Sequence, residues 1–338
     1  MRVSNKSKTL LPSALGLALL IFDSRTAIEG AQAGVDVCIR SVLPTLFPFI
    51  FLSSALTDTL RNSSLKWGRI LCSLYKVPYG TEGILLAGLT GGYPIGAKCI
   101  HEGVSQGNLL QSDAERMLVF CNAAGPAFIF GIIGTLFDKW WIPWCLWGIH
   151  LSSSLCIAHL WPPISLHTSA IHTIPSRSAP QRLRQSIFVI GDICGWIILT
   201  RTAISFARKW ALQHLPKALE MLIVGILELT NGCISLSAVE NSGLRFLICA
   251  SLLSFGGLCV TLQTRSVASV VNQRKYLPRK CVQALFSFIV AYIIQHFFFP
   301  ADEKAPLPWL FTAALMVFVV VIIHSRIKTK KLWKFRGT

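Results

Sequence analysis

The second half of the chain carries five apolar runs, at about 186 to 207, 219 to 237, 244 to 263, 281 to 299 and 307 to 325, joined by short polar connections. Each run approaches the roughly 20 apolar residues a helix needs to cross a bilayer. Hydrocarbon offers backbone amides and carbonyls no water, so runs like these must satisfy their own hydrogen bonds as helices. The first half repeats the pattern with Leu10 to Phe22, Ser41 to Leu60, Gly83 to Lys98, Arg116 to Phe137 and Trp140 to Trp161. With 53% hydrophobic residues, 14% charged residues and a mean hydropathy of +0.57, the sequence predicts an all-α polytopic membrane protein.

The net charge of +17 sits mainly in loops and tails between the apolar runs. The positive-inside bias accounts for it, so no nucleic-acid partner is expected. The C-terminal cations Arg326, Lys328, Lys330, Lys331, Lys334 and Arg336 suit anionic lipid headgroups. The 11 cysteines are dispersed, with no C-x-x-C pair or Cys/His cluster, so neither a metal nor a disulfide framework is expected. No hydrolase, zincin or phosphate-loop signature occurs, which predicts a non-enzyme without a cofactor.

Charge placement predicts the topology. Basic segments at Arg61 to Lys76, Arg177 to Arg184 and Arg265 to Lys280 belong to the cytoplasmic side, and Asp302-Glu303 to the opposite side. Eight spans with both termini cytoplasmic satisfy these loops if Gly83 to Cys99 and Glu220 to Ser237 are re-entrant; Arg208, Lys209 and Lys217 are the exception. Glu29 to Arg40 reads as an interfacial stretch, and Pro44 and Pro48 as a kink or interruption in the span that follows. Leu10 to Phe22 has the shape of a signal segment as well as of a helix, and a retained helix is expected. The organisation is then 1–27, a transmembrane anchor; 28–161, a first repeat; 162–184, a basic cytoplasmic linker; 185–300, a second repeat; and 301–338, a final helix with a basic tail.

Within Gly83 to Lys98 the helix pattern breaks at Gly91-Gly92-Tyr93-Pro94 and resumes at Ile95. A second interruption, Gly125-Pro126, follows in the next run. The later half answers with Leu229-Thr230-Asn231-Gly232, matching Leu89-Thr90-Gly91-Gly92, and then with Gly256-Gly257. Two halves with matching breaks and opposite predicted orientation make an inverted repeat, whose broken helices form a solute site near the midplane in many transporters. Close packing of glycine-rich helices is the alternative.

These stretches carry a resemblance. VLPTLFPF (Val42 to Phe49), GLTGGYPIGAK (Gly88 to Lys98), CNAAGPAFIFG (Cys121 to Gly131), GILELTNG (Gly225 to Gly232) and SFGGLCVTLQ (Ser254 to Gln263) together resemble the sporulation integral membrane protein YlbJ family. That family is related to the Gate, or nucleoside-recognition domain, membrane proteins. The resemblance runs from about residue 30 to 300 and implies a membrane protein of an endospore former that is required for spore cortex formation. Cys233-Ile234-Ser235 departs from the more polar residues that members often carry there.

The expected site joins the broken segments: Thr90, Gly91, Gly92, Tyr93, Pro94, Lys98, Asn122, Glu228, Thr230, Asn231 and Gln263. Lys98 and Glu228, intramembrane ions in related hairpins, either pair across the midplane or serve locally, Lys98 snorkelling to the interface and Glu228 capping a helix. The neutral groups suit a small polar solute, whereas half-helix N-termini suit an anion. His150 reads as packed and hydrogen-bonded. A secondary transporter or exporter is therefore expected, with a membrane scaffold for spore cortex or maturation partners as the alternative. Expected partners are the solute, membrane lipids, and a second copy of the chain or other sporulation membrane proteins.

Overall fold

In a computed structural model of the protein, the structure describes residues 3–61, 66–163, 178–305 and 307–334. Those residues are helical with short connections, and no strand occurs among them. α1 (Val3–Phe22) is followed by α2 (Ser24–Val37) and α3 (Leu43–Arg61), which a π-helical turn, Cys38–Val42, fuses. Ser24–Ala55 is thus one 32-residue stretch. Glu29 to Arg40, expected as an interfacial stretch, is helical and continuous with the apolar segment that follows it. Pro44 follows the π turn directly, and Pro48 falls inside α3. The α2 segment is held against another helix, α10 (Ala179–Trp210): a Cβ on Gly30 would lie 2.8 Å from Ser205 Oγ, and one on Gly34 2.8 Å from Ile198 Cα.

The chain continues through α4 (Lys66–Tyr75) into a helical hairpin, α5 (Glu82–Gly91) and α6 (Ile95–Ser105). A broken helix follows, α7 (Gln111–Cys121) and α8 (Pro126–Gly131), and then α9 (Trp141–Leu160). After α10 the order recurs: a hairpin of α11 (Lys217–Leu227) and α12 (Leu229–Ser235), a broken helix of α13 (Ser242–Phe255) and α14 (Gly257–Val267), and α15 (Tyr276–Phe298). α16 (Pro308–Lys334) closes the described chain. Of the 162–184 linker, residues 164–177, including Arg177, lie outside the described residues, and a capping box of Ser178 and Gln181 already starts α10 there. Side chains of the basic tail also lie outside the described set.

Among the described residues five helical stretches are long and apolar enough to cross a membrane: Ser24–Ala55, Ala179–Trp210, Ser242–Val267, Tyr276–Phe298 and Pro308–Ser325. The protein is a multi-pass helical membrane protein. α9, expected as a span, is not among the five, and its sequence carries His150, Ser152, Ser153, Ser154 and His159.

Polar contacts define two ends of the bundle. At one end Lys209 Nζ meets Asp23 Oδ2 at 2.5 Å, Arg208 and Lys217 meet Glu220 at 2.8 and 3.1 Å, and Lys139 meets Glu303 at 2.8 Å. Arg245 there reaches the carbonyls of Leu136 and Val239. At the other end Gln111 Nε2 donates to Val270 O at 3.0 Å, Arg279 lies over Trp161 at 5.0 Å, and Arg116 donates to the carbonyls of Tyr75, Lys76 and Ala158. Arg116 thus binds the carbonyls just before the α5–α6 hairpin, and Glu220 lies in the first turn of the α11–α12 hairpin. Arg208, Lys209 and Lys217, the exception to the charge rule, are all matched by carboxylates.

Candidate functional site

Each hairpin is tight because glycines face each other across its arms. A Cβ on Gly96 would lie 3.0 Å from Gly88 Cα, and one on Gly232 would lie 2.1 Å from Gly225 Cα. Each tip then rests on the break of the following helix. Gly92, at φ +79°, would bring a Cβ to 3.0 Å from Gly125 N, and Gly257, at φ +83°, would bring one to 3.2 Å from Leu229 N. Only glycine combines that backbone conformation with such an approach.

The two tips meet around a small, partly open cleft. Gly91, Gly92 and Tyr93 line it from the first hairpin, and Glu228, Leu229 and Thr230 from the second. Phe49 on α3, Phe128 on α8, Ile193 and Ile197 on α10 and Gln263 on α14 complete most of its wall. A mainly apolar wall with a few convergent polar groups is the usual character of a small-molecule site.

Glu228 is buried, yet its charge is used locally. Its carboxylate accepts from Thr230 N at 2.9 Å, from Asn231 N at 2.6 Å and from Asn231 Nδ2 at 2.6 Å, making it the N-cap of α12. The first turn of α12 therefore already holds an anion, supplied by the chain itself. On the first hairpin, Thr90 Oγ1 donates to Leu86 O within its own helix, and Pro94 is buried at the start of α6. Lys98 is half-buried on α6 and does not line the cleft.

Asn122 belongs to a different environment. Its Nδ2 donates to Thr264 Oγ1 at 2.7 Å and Tyr276 Oη at 3.0 Å, tying the first break to α14 and α15. Behind it lies Lys280, fully buried rather than in the cytoplasmic loop where the sequence reading placed it. Its Nζ donates to Val119 O at 3.3 Å, Asn122 O at 3.2 Å and Gln283 Oε1 at 2.9 Å, and the rings of Tyr93 and Tyr276 lie 5.5 and 6.0 Å away. Burying an ion costs several kcal/mol, which these charge-assisted hydrogen bonds offset in part. The network continues through Gln283 Nε2 to Ser153 Oγ at 3.2 Å, and Ser153 and Ser254 hydroxyls lie 3.3 Å apart.

His150 joins the two breaks. An amide only donates, so Ala124 N–H at 3.0 Å fixes Nε2 as acceptor, and Nδ1 carries the proton toward Ser254 Oγ at 3.1 Å. Ser254 also meets Ser287 at 2.6 Å. The packed, hydrogen-bonded role expected for His150 is what the structure shows.

Of the expected residues, the cleft gathers Gly91, Gly92, Tyr93, Glu228, Thr230 and Gln263, with Asn231 one contact behind; Thr90, Pro94, Lys98 and Asn122 stand outside its lining. Among curated proteins the chain is similar to the sporulation integral membrane protein YlbJ of Bacillus subtilis (strain 168), 26% identical over 321 residues, 80% of this chain and 78% of that one. The chain is a relative of YlbJ. The likeness covers most of both chains, as motifs spread in order from about residue 30 to 300 lead one to expect. No protein-family model matches the chain, and no solved structure does.

The sequence reading missed Lys280. A signal for it exists: Lys280, Gln283 and Ser287 fall at i, i+3 and i+7, one polar stripe along an otherwise apolar helix.

Proposed function

We propose that the protein is a sporulation membrane protein needed for spore cortex formation, acting there as a secondary transporter or exporter of a small polar solute. The observation that carries the reading is the meeting of two hairpin tips around one cleft. Eight spans fit this arrangement if α1, the α7–α8 pair and α9 join the five apolar stretches, with both termini and the Arg116 end cytoplasmic. The two halves then form an inverted repeat, and rocking about the tips exposes the cleft alternately to each face.

The wall narrows the solute class. Glu228 fills the anion position at α12, so an anionic group meets a carboxylate there instead of free amides. Thr230, Gln263 and Tyr93 offer neutral polar groups beside Phe49 and Phe128. An uncharged molecule with one apolar face and one hydrogen-bonding face suits that combination.

Heat-resistant spore yield tests the reading, with membrane levels of every variant held to wild type. Thr230→Val and Gln263→Leu should lower the yield, while Arg182→Ala with Arg184→Ala should leave it intact. The reverse pattern overturns transport at the cleft and favours a scaffold that recruits cortex or maturation partners through the linker.

A further inference from the structure

The helix break after Cys121 frees carbonyl oxygens that a continuous α7–α8 helix would have used. In a regular helix Val119 O would accept from the amide of residue 123; instead the chain turns extended at Asn122, with φ −93° and ψ 85°. In hydrocarbon such oxygens need a donor or a cation. Lys280, delivered from α15 more than 150 residues later, places its Nζ within 3.3 Å of Val119 O, Asn122 O and Gln283 Oε1. All three ligands are neutral oxygens. Two aromatic faces, Tyr93 and Tyr276, complete the surroundings at 5.5 and 6.0 Å. Asn122 Oδ1, also buried, has no hydrogen-bond partner and adds a further oxygen at the same break.

Backbone carbonyls at the C-terminal end of a broken intramembrane helix, joined by a side-chain amide oxygen, are the donor set that takes up a desolvated monovalent cation. We propose that the Lys280 ammonium is a built-in monovalent cation, tethered on α15, that occupies and holds together the cation site formed by the first helix break. The tether also fixes the first hairpin, because Tyr93 at its tip lies against the same ammonium. A site filled by the chain's own cation needs no sodium or potassium from solution. This assignment concerns how the break is held and stands whether or not the cleft carries a solute.

The experiment is thermal unfolding of the purified full chain in detergent, in choline chloride and in equal concentrations of sodium, potassium, ammonium or ethylammonium chloride. Wild type should melt alike in all of them. Lys280→Ala opens the site and should melt about 5 °C or more below wild type in choline, recovering at least half of that loss in one of the small cations. Lys280→Met fills the space with an uncharged stem and should melt low with no recovery. The proposal is overturned if Lys280→Met melts with wild type, if Lys280→Ala responds to cations no more than wild type does, or if Lys280→Ala is unfolded under every salt.

Discussion

Tyr93, at the tip of the first hairpin, donates its phenolic hydrogen to Leu253 O, 3.2 Å away in the last turn of α13. That carbonyl would accept from Gly257 N in an unbroken helix, so a side chain of the first hairpin satisfies the break between α13 and α14. The contact is close: a Cβ on Gly256, at φ +85°, would lie 2.8 Å from the Tyr93 hydroxyl. The hairpin tip and the opposite break are therefore mechanically linked.

Tyr93→Phe keeps the ring and removes one hydrogen bond, leaving a buried carbonyl unpaired, so it should cost about 1 kcal/mol. Gly256→Ala both strains a left-handed residue and pushes on the hydroxyl, so it should cost more, about 2 kcal/mol. Because both act on one contact, the double variant should fall short of the sum. Thermal unfolding of the four proteins measures this; full additivity would show that the tip and the break are independent.

His150→Leu should be among the most damaging single changes in α9. It strands Ala124 N–H in the first break, an unsatisfied buried group worth about 1 to 3 kcal/mol, and takes one partner from the Ser254 hydroxyl, which keeps Ser287. Ser152→Ala, exposed two residues further along α9 and bonded to Ile149 O, should cost well under 1 kcal/mol. Unfolding midpoints in detergent separate the two.

The Asp23–Lys209 contact predicts an acid-sensitive step. The hydrogen bond from Lys209 holds the Asp23 carboxyl below its ordinary 3.8. A depressed carboxyl stabilises the fold above its unfolded pKa, and that contribution is lost as pH falls through the folded value. Tethering of α2 to the end of α10 should therefore weaken below about pH 4, and Asp23→Asn should flatten that part of the stability profile. An unchanged profile in Asp23→Asn would assign the acid loss to other carboxylates.

The breaks were legible because glycine and proline announce them: Gly92, Gly125 and Gly256-Gly257 each sit where backbones touch or turn left-handed. Glu228 was legible only as a choice between pairing and capping, and the neighbouring amides of Thr230 and Asn231 decide for capping. Lys280 was hidden by its context. It follows Arg274, Lys275 and Arg279, and a charge at the end of a basic run looks like loop; α15 begins at Tyr276 and carries it inside. The continuous Ser24–Ala55 helix was missed because polar residues such as Glu29 and Asp36 suggest an interface, whereas Arg25 and Arg40 pair with them along the exposed face.

Alternating access at the cleft is tested most directly by a cysteine at Thr230 in a chain stripped of its native cysteines, reconstituted in oriented vesicles. A membrane-impermeant thiol reagent should label Thr230→Cys when applied to either face, in separate experiments, because the cleft opens to each in turn. Labelling from one face alone under all conditions, or from neither, would contradict transport through the cleft.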